Sequence, residues 1–330
     1  MSEVQQLFER FHGKKILVIG DVMIDAYVRG KVNRVSPEAP VPIVSLEKQE
    51  DRLGGAANVA VNLVALGAAP IICSVVGNDK QAEDLKELLH TSGISSDGLI
   101  FSATRQTTVK TRIIGNNQQL LRIDSEQTNP ISKLEEDQVL SVIHDLINSG
   151  IDGIIFEDYN KGVLTPAVIE EVIRQANAAN VITAVDPKKE NFLAYKGVSL
   201  FKPNLKELRE GLNMDFSFSS NNRLDFENAV LELEKQLLNQ ISFVTLSEYG
   251  VFIKSEQNTH YAAAHLRNIA DVSGAGDTVI AVATLSLVCG AKLELVAELA
   301  NIAGGLVCEK SGVVSIDREQ LMNEAKRLIN

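Results

Sequence analysis

The chain has no tryptophan, and only 5% of its residues are aromatic. It has three cysteines, Cys73, Cys289 and Cys308, each in an apolar setting. An odd count at wide spacing fits neither a disulfide framework nor a cysteine metal site, so reduced core thiols are expected. Positive charge is scarce: the net charge is −11, and no block or stripe of Lys and Arg appears. That balance argues against nucleic acid as a partner. The first 20 residues carry charges throughout, around one short apolar run, Ile16–Ile19. Neither a leader peptide nor a membrane span is expected, which places the chain in the cytoplasm. Two phosphate-binding patterns are missing too. No Gly-x-x-x-x-Gly-Lys-Ser/Thr loop occurs, and the first strand runs into a lone Gly20 instead of Gly-x-Gly-x-x-Gly. A Walker-type cradle is thereby excluded and a dinucleotide fold disfavoured.

What the chain does have is apolar content, 45% over 330 residues, enough for a large core. Short β-like runs occur at Ile16–Ile19, Ile71–Val76, Gly153–Phe156, Val181–Val185, Val198–Phe201 and Phe243–Leu246. Between them lie helical stretches at Gln81–Leu89, Lys133–Ile147, Pro166–Ala179 and Leu224–Leu238. Three more close the chain: Gly274–Cys289, Leu293–Cys308 and Arg318–Ile329. Such alternation predicts an α/β fold, a parallel sheet wrapped by helices. No repeat or composition break appears, so residues 1–330 are expected to form one domain, with polar Ser217–Asn222 as a surface connection. Two segments break the alternation. Residues 26–53 hold strand-like pieces on either side of Pro37, Pro40 and Pro42, and 104–124 read as a hairpin turning at Gly115-Asn116-Asn117. These are expected either as an edge hairpin or as a lid that keeps water from a reaction.

The most telling stretch is Asp271-Val272-Ser273-Gly274-Ala275-Gly276-Asp277. It opens the apolar run from Thr278 to Cys289, which stops at Gly290. Glycines at the first turn of a helix leave backbone N–H groups bare, backed by the positive end of the helix dipole. That is an anion site. Asp277 then sets a carboxylate beside the anion, where it either suits the dipole or takes a proton from an attacking hydroxyl. A second glycine signature, Gly54-Gly55-Ala56-Ala57-Asn58, opens the helix Ala56–Leu66, which ends at Gly67. There Gly54 and Gly55 let backbone approach a ligand, and Asn58 offers a donor and an acceptor to sugar hydroxyls. Earlier, Asp21-Val22-Met23-Ile24-Asp25 follows the first strand. Strand ends bearing carboxylates are where open α/β sheets bind ligands.

In this order the two glycine signatures resemble those of the ribokinase, or pfkB, carbohydrate kinase family, over roughly residues 14–315. The resemblance implies a three-layer sandwich, with a central mostly parallel sheet flanked by helices and a small β lid at 26–53 and 104–124. It further implies ATP and Mg²⁺, a monovalent cation, and a homodimer formed through the lid. Local matches are similar to the branch that phosphorylates heptose 7-phosphate for lipopolysaccharide core synthesis. They are Arg34-Val35-Ser36-Pro37-Glu38-Ala39-Pro40-Val41-Pro42, Asn117 to Asp124, Asp158-Tyr159-Asn160-Lys161-Gly162 and Val185-Asp186-Pro187-Lys188. Three positions depart from that pattern: Glu157 and Ser273 stand where Ser and Thr are usual, and Lys189 where Gly is. That branch often carries a fused nucleotidyltransferase marked by His-x-Gly-His. No such motif occurs, so adenylyl transfer is expected from a separate protein.

Carried over residue by residue, the resemblance makes Asp277 the base, with Gly274, Ala275 and Gly276 as the hole for the transferring phosphate. Hydroxyl contacts fall to Asp25, Gly54, Gly55, Asn58, Gln119 and Asp158, and the 7-phosphate to Lys110, Arg112, Arg122, Lys161 and Lys188, with Lys188 expected on either transferring or acceptor phosphate oxygens. Asn204 and Glu207 match an Asn-x-x-Glu motif in which Glu207 holds Mg²⁺ through water; the pair also reads as a helix capping box, and both can hold. Thr245, Glu248 and Gly250 resemble the nucleotide turn, and Asn301 is expected at the adenine.

Overall fold

A computed structural model describes residues 2–219, 222–256 and 258–329; within the connection expected at Ser217–Asn222, Ser220 and Asn221 lie outside the described residues. The chain opens with α1 (Glu3–Arg10) and β1 (Lys15–Gly20), then two long strands, β2 (Val22–Val35) and β3 (Pro42–Gly55). Next come α2 (Ala56–Leu66), β4 (Ala69–Gly77), α3 (Lys80–Thr91), β5 (Ser95–Ser102) and the hairpin β6 (Val109–Gly115) and β7 (Gln118–Ser125). The middle runs α4 (Lys133–Asn148), β8 (Gly153–Glu157), α5 (Pro166–Ala178), β9 (Ile182–Asp186), β10 (Leu200–Phe201), α6 (Leu205–Leu212) and α7 (Leu224–Leu237). It ends with β11 (Ile241–Thr245), β12 (Val251–Ser255), β13 (Thr259–Ala262), α8 (Ala275–Val288), α9 (Leu293–Cys308) and α10 (Arg318–Leu328).

Among the described residues, nine strands form one sheet in the order β13-β12-β11-β10-β9-β8-β1-β4-β5. Pairing is parallel throughout except at β12 and β13, which extend it antiparallel. The side-chain period of two divides each strand between two cores. Ile16 and Val18 of β1 join the core under α2, α8 and α9, while Leu17 and Ile19 join the one under α4, α5 and α7. Helices thus cover both faces, giving three layers. The anticipated β-runs and helices all appear within a few residues. Unanticipated were α1, β5, β12 and β13: short, polar or at the sheet edge, they give weak periodicity.

The two segments that broke the alternation merge into one second sheet, ordered β3-β2-β6-β7. The strands β2 and β3 pair antiparallel over most of their 14 residues each, and β6 runs parallel to β2. Its hairpin turns on Asn116 and Asn117, both left-handed with φ of 50° and 65°. Asparagine tolerates that region better than other non-glycine residues, and two such residues match the twist of the flanking strands.

Helix α8 is apolar all round, and every residue from Asp277 to Ser286 is buried. Such a helix belongs inside. It packs against α9, α2 and β9, so its N-terminal tip is fixed at the carboxyl edge of the large sheet. Among the described residues no helix is long and apolar enough to cross a membrane. The three cysteines are buried and unpaired.

Candidate active site

The two glycine signatures meet. Gly274 caps α8 in the left-handed region, φ 78°, without a side-chain partner. A β-carbon there would sit 3.0 Å from Asn58 Nδ2 and 3.1 Å from Val313. Only glycine takes both the conformation and the space. Ala275 N–H reaches Val272 O at 3.3 Å, while no described protein acceptor takes the N–H of Gly276 or Asp277. These donors point out of a helix tip, as an anion requires. Gly276 backs onto the large sheet, since a β-carbon on it would lie 3.2 Å from Asp186 Oδ2.

Asp277 is the third residue of α8 and is held from two sides. Asn58 Nδ2, one turn into α2, donates to Oδ2 at 2.6 Å, and the Tyr159 hydroxyl donates to Oδ1 at 3.1 Å. Burial pushes the Asp277 carboxyl up to about 6; Asn58 and Tyr159 oppose that, and nearby Asp186 adds to it. The same burial and the facing carboxylates hold the Tyr159 phenol well above its ordinary range.

Beneath Asp277 runs a row set by strand register. Gly20 of β1 pairs with Glu157 of β8, and Glu157 with Asp186 of β9. Beyond it Lys202 follows β10 and donates its N–H to Val185 O. Its ammonium meets Asp186 Oδ2 at 2.8 Å and is 3% exposed. Lys188 lies 3.6 Å from Asp186 Oδ1 and 2.9 Å from Glu207 Oε1. Burial would raise Asp186, but Lys202 and then Lys188 outweigh it and hold the carboxyl low. Glu157 has no such cation. It is 1% exposed, and its Oε2 has no hydrogen-bond partner among the described residues. Burial first, then Asp186 and Asp277, keep it far above the ordinary carboxyl range. One oxygen each of Glu157, Asp186 and Asp277 lies within 4.8 Å of the others.

A cavity of about 160 Å³ opens over Asp277. Of the anticipated residues, Asp25, Gly54, Gly55, Asn58, Lys110, Arg112, Gly274 and Asp277 line it. Asp25 pairs with Arg112, and Lys110 reaches over the Tyr159 ring at 6.0 Å. The others sit elsewhere. Gln119 is exposed on β7, and Arg122 pairs with Asp124 there. Asp158 turns to the opposite core face and accepts from the Tyr195 hydroxyl at 2.9 Å and Asn191 at 3.1 Å. Lys161 pairs with Glu126 at 2.6 Å. Lys188, grouped by sequence with the sugar-phosphate cations, instead bridges Asp186 to Glu207. Asn204 and Glu207 form the capping box of α6, each bonding the other's backbone N–H at 2.9 Å. Thr245 bridges to Asn204, Glu248 is exposed and Gly250 turns at φ 96° before β12. Asn301 donates to Ala263 O at 2.8 Å, tying α9 to the segment after β13.

Sequence reasoning assigned no role to Tyr159, Asp186 or Lys202, although the first two stand in matched motifs. Asp21, read with Asp25 as a strand-end carboxylate near a ligand, instead accepts with its buried carboxylate from Tyr159, Lys161 and Val163 N–H at 3.1, 3.0 and 3.2 Å and so anchors the loop that carries Tyr159. The visible signals were an acid at a strand end and, for Glu157, its departure from an expected Ser.

The family description "pfkB family carbohydrate kinase" matches residues 13–320. Bifunctional protein HldE of Methylobacillus flagellatus is 39% identical over 313 residues, 94% of this chain and 62% of that protein. HldE of Helicobacter pylori strain J99 is 39% identical over 308 residues, 93% of this chain and 65% of its own length. The chain therefore spans a little under two thirds of these curated relatives. In structure it is similar to phosphofructokinase-2 from Escherichia coli in complex with potassium, with a TM-score of 0.79 at 17% identity over 96% of this chain and 100% of that one. Arabidopsis thaliana ribokinase complexed with ribose and ATP gives 0.70 at 16% identity over 94% and 99%.

Proposed function

The chain belongs to the pfkB family of carbohydrate kinases, ATP-dependent sugar kinases, and from that premise we propose that it phosphorylates the anomeric O1 hydroxyl of D-glycero-D-manno-heptose 7-phosphate. The product is the heptose 1,7-bisphosphate, a step toward ADP-heptose and the lipopolysaccharide core. The observation that carries the reading is Asp277: a buried carboxylate at a bare helix tip, held by an amide from the other glycine signature and facing a cavity with cations. Likeness to the HldE relatives supports the choice of sugar.

Transfer is in line, with no phosphoenzyme. Asp277 takes the O1 proton as oxygen attacks the γ-phosphorus. The first-turn N–H groups of α8 stabilise charge on the transferring group, and Lys110 and Arg112 add positive field from the second sheet. Asp25 and Asn58 hold ring hydroxyls, with Gly54 and Gly55 allowing close approach. Glu207 has one oxygen on Asn204 N–H and the other on Lys188, and in this reading it would hold Mg²⁺ through water. Held there, the ion would supply positive charge against the phosphates of ATP. Thr245, Glu248, Gly250 and Asn301 border the nucleotide in this reading, and a monovalent cation is part of it. The chain acts as one domain in the cytoplasm, with the second sheet as lid.

The test is a coupled ATPase assay with heptose 7-phosphate, fructose phosphates, ribose and adenosine, followed by product mass. Turnover confined to another acceptor replaces the heptose assignment. The pH profile has a defined sign. A base held near 6 is ionised above that value, so kcat/KM is expected to fall about tenfold per unit below pH 6 and to level off above it. A flat profile from pH 5 to 8 removes Asp277 from the proton transfer.

The far face of the second sheet leaves Leu121 and Ile123 at 53% and 48% exposure. Apolar side chains on a sheet face invite a second copy, and the reading includes a homodimer formed there. Leu121→Asp with Ile123→Asp is expected to halve the mass seen by light scattering; an unchanged mass removes this face from the interface.

A further inference from the structure

The loop after β8 is fixed more firmly than a loop that only connects two elements. Asp21 and Asp158 are 2% and 1% exposed, and between them they take its backbone N–H groups in turn. Asp21 accepts from Tyr159, Lys161 and Val163, and Asp158 Oδ1 accepts from Asn160 at 2.9 Å. Asn160 sits in the left-handed region at φ 55°, which asparagine tolerates. Holding a loop this way is costly. Burial lifts the Asp21 carboxyl above its ordinary value, although three N–H groups oppose it. The side chain presented in return is Tyr159. Its ring lines the cavity over Asp277, and its hydroxyl donates to Asp277 Oδ1 at 3.1 Å. Two ammonium groups steady the ring: Lys110 of β6 and Lys188 beyond β9 place Nζ at 6.0 and 5.9 Å from its centroid. Lys110 lines the cavity and Lys188 does not, so the ring forms part of the wall between that space and the charged row beneath.

The phenol is a donor and not a second base. Burial first, then the carboxylates of Asp277, Glu157 and Asp186, keep it protonated far above its ordinary range. Asn58 and Tyr159 thus grip the two oxygens of Asp277 separately, Oδ2 from α2 and Oδ1 from the loop. A carboxylate held at both oxygens resists turning about its Cβ–Cγ bond. We propose that Tyr159 is a positioning residue for phosphoryl transfer: its hydroxyl fixes Asp277 Oδ1, so the carboxylate meets the acceptor hydroxyl in one orientation. The proposal rests on the sugar kinase reading above and deepens it, whichever sugar is the acceptor. Two effects follow from one hydrogen bond. A base already aligned takes its proton without first searching for the geometry. A neutral donor also favours the ionised carboxylate, against the burial that disfavours it.

Tyr159→Phe removes the hydroxyl and keeps the ring. The experiment measures kcat/KM from pH 5 to 9 with an acceptor that the wild type turns over, heptose 7-phosphate first, then fructose phosphates, ribose and adenosine. The acid limb, set by a carboxyl at about 6 in the wild type, is expected to move up by about one unit in the variant. The plateau above it is expected to fall about 3- to 30-fold through lost alignment. KM for ATP and for the acceptor is expected to shift less than about threefold, since the ring still lines the cavity. Glu157, Asp186 and Lys202 face Asp277 from the large sheet, and Asp25, Lys110 and Arg112 share its cavity. All of them remain in the variant, so a moved limb reports the hydroxyl. In an Asp277→Asn background the same change is expected to cost less than about twofold, because no base is left to orient. A limb that stays in place, or a loss that multiplies fully on that of Asp277→Asn, overturns the positioning role and leaves the kinase reading intact. Turnover of another acceptor in place of heptose 7-phosphate ends the heptose assignment, and a limb that still moves upholds Tyr159. A flat wild-type profile removes Asp277 as the base, and the role of Tyr159 with it.

Discussion

Asp277→Asn is expected to lower kcat by roughly 10²- to 10⁴-fold while leaving ATP affinity unchanged. The amide is nearly isosteric, and both partners can adapt: Asn58 still donates to its oxygen, and its NH₂ can donate to the Tyr159 hydroxyl. What disappears is the capacity to take a proton. The same variant carries a second expectation, about stability. Burial lifts the folded-state carboxyl to about 6, above an ordinary Asp value near 3.9. A raised carboxyl favours the protonated fold, so its ionisation destabilises the native state as pH climbs from about 4 to about 6. The Asn variant never ionises. It is expected to be more stable than wild type at pH 7 by about 1–3 kcal/mol, with the difference gone near pH 4. Urea titrations at both pH values, beside kcat, test the pair. A variant that is inactive but less stable at pH 7 points to a structural role; one that is active removes the base.

Lys202→Met is expected to destabilise the protein by about 3–5 kcal/mol, the usual cost of stripping one partner from a buried ion pair. Lys202 lies wholly inside, 2.8 Å from Asp186. Without it Asp186 keeps only the longer contact to Lys188, and Glu157 presses from the next strand. Lys188→Met is expected to cost under half as much, because that side chain is 32% exposed and water screens what remains. The midpoint of chemical denaturation at pH 7 measures both. A Lys202→Met loss below about 1 kcal/mol means that Asp186 finds a proton or water in place of the lysine.

The reactive tip was legible because its causes are local. Gly274 and Gly276 next to Asp277 report a bare helix start, and Gly54 and Gly55 before Asn58 report close backbone approach. Both depend on neighbours in sequence. Lys188 shows the limit: a cation after a strand end was readable, but its partners Asp186 and Glu207 depend on where β9 lies relative to α6. Asp158 was drawn toward the sugar by its motif, yet the strand period sends it to the other face, where Tyr195 waits. Tyr159 stood in a matched motif that gave no sign of its partner. Its place beside Asp277 follows from the packing of α8 on β8, a property of two distant segments together.

The amino-acid order alone determined the layered α/β architecture, the family, and the two glycine-headed helix starts, because periodicity and backbone freedom act over a few residues. Only the folded chain decided that these starts face each other across Asp277. It also decided that Glu157, Asp186 and Lys202 form one buried row, and that Tyr159 reaches Asp277 from the loop after β8. Those arrangements come from parallel register and helix packing between segments distant in the chain, and desolvation there, not residue identity, moves the carboxyl of Asp277 to about 6.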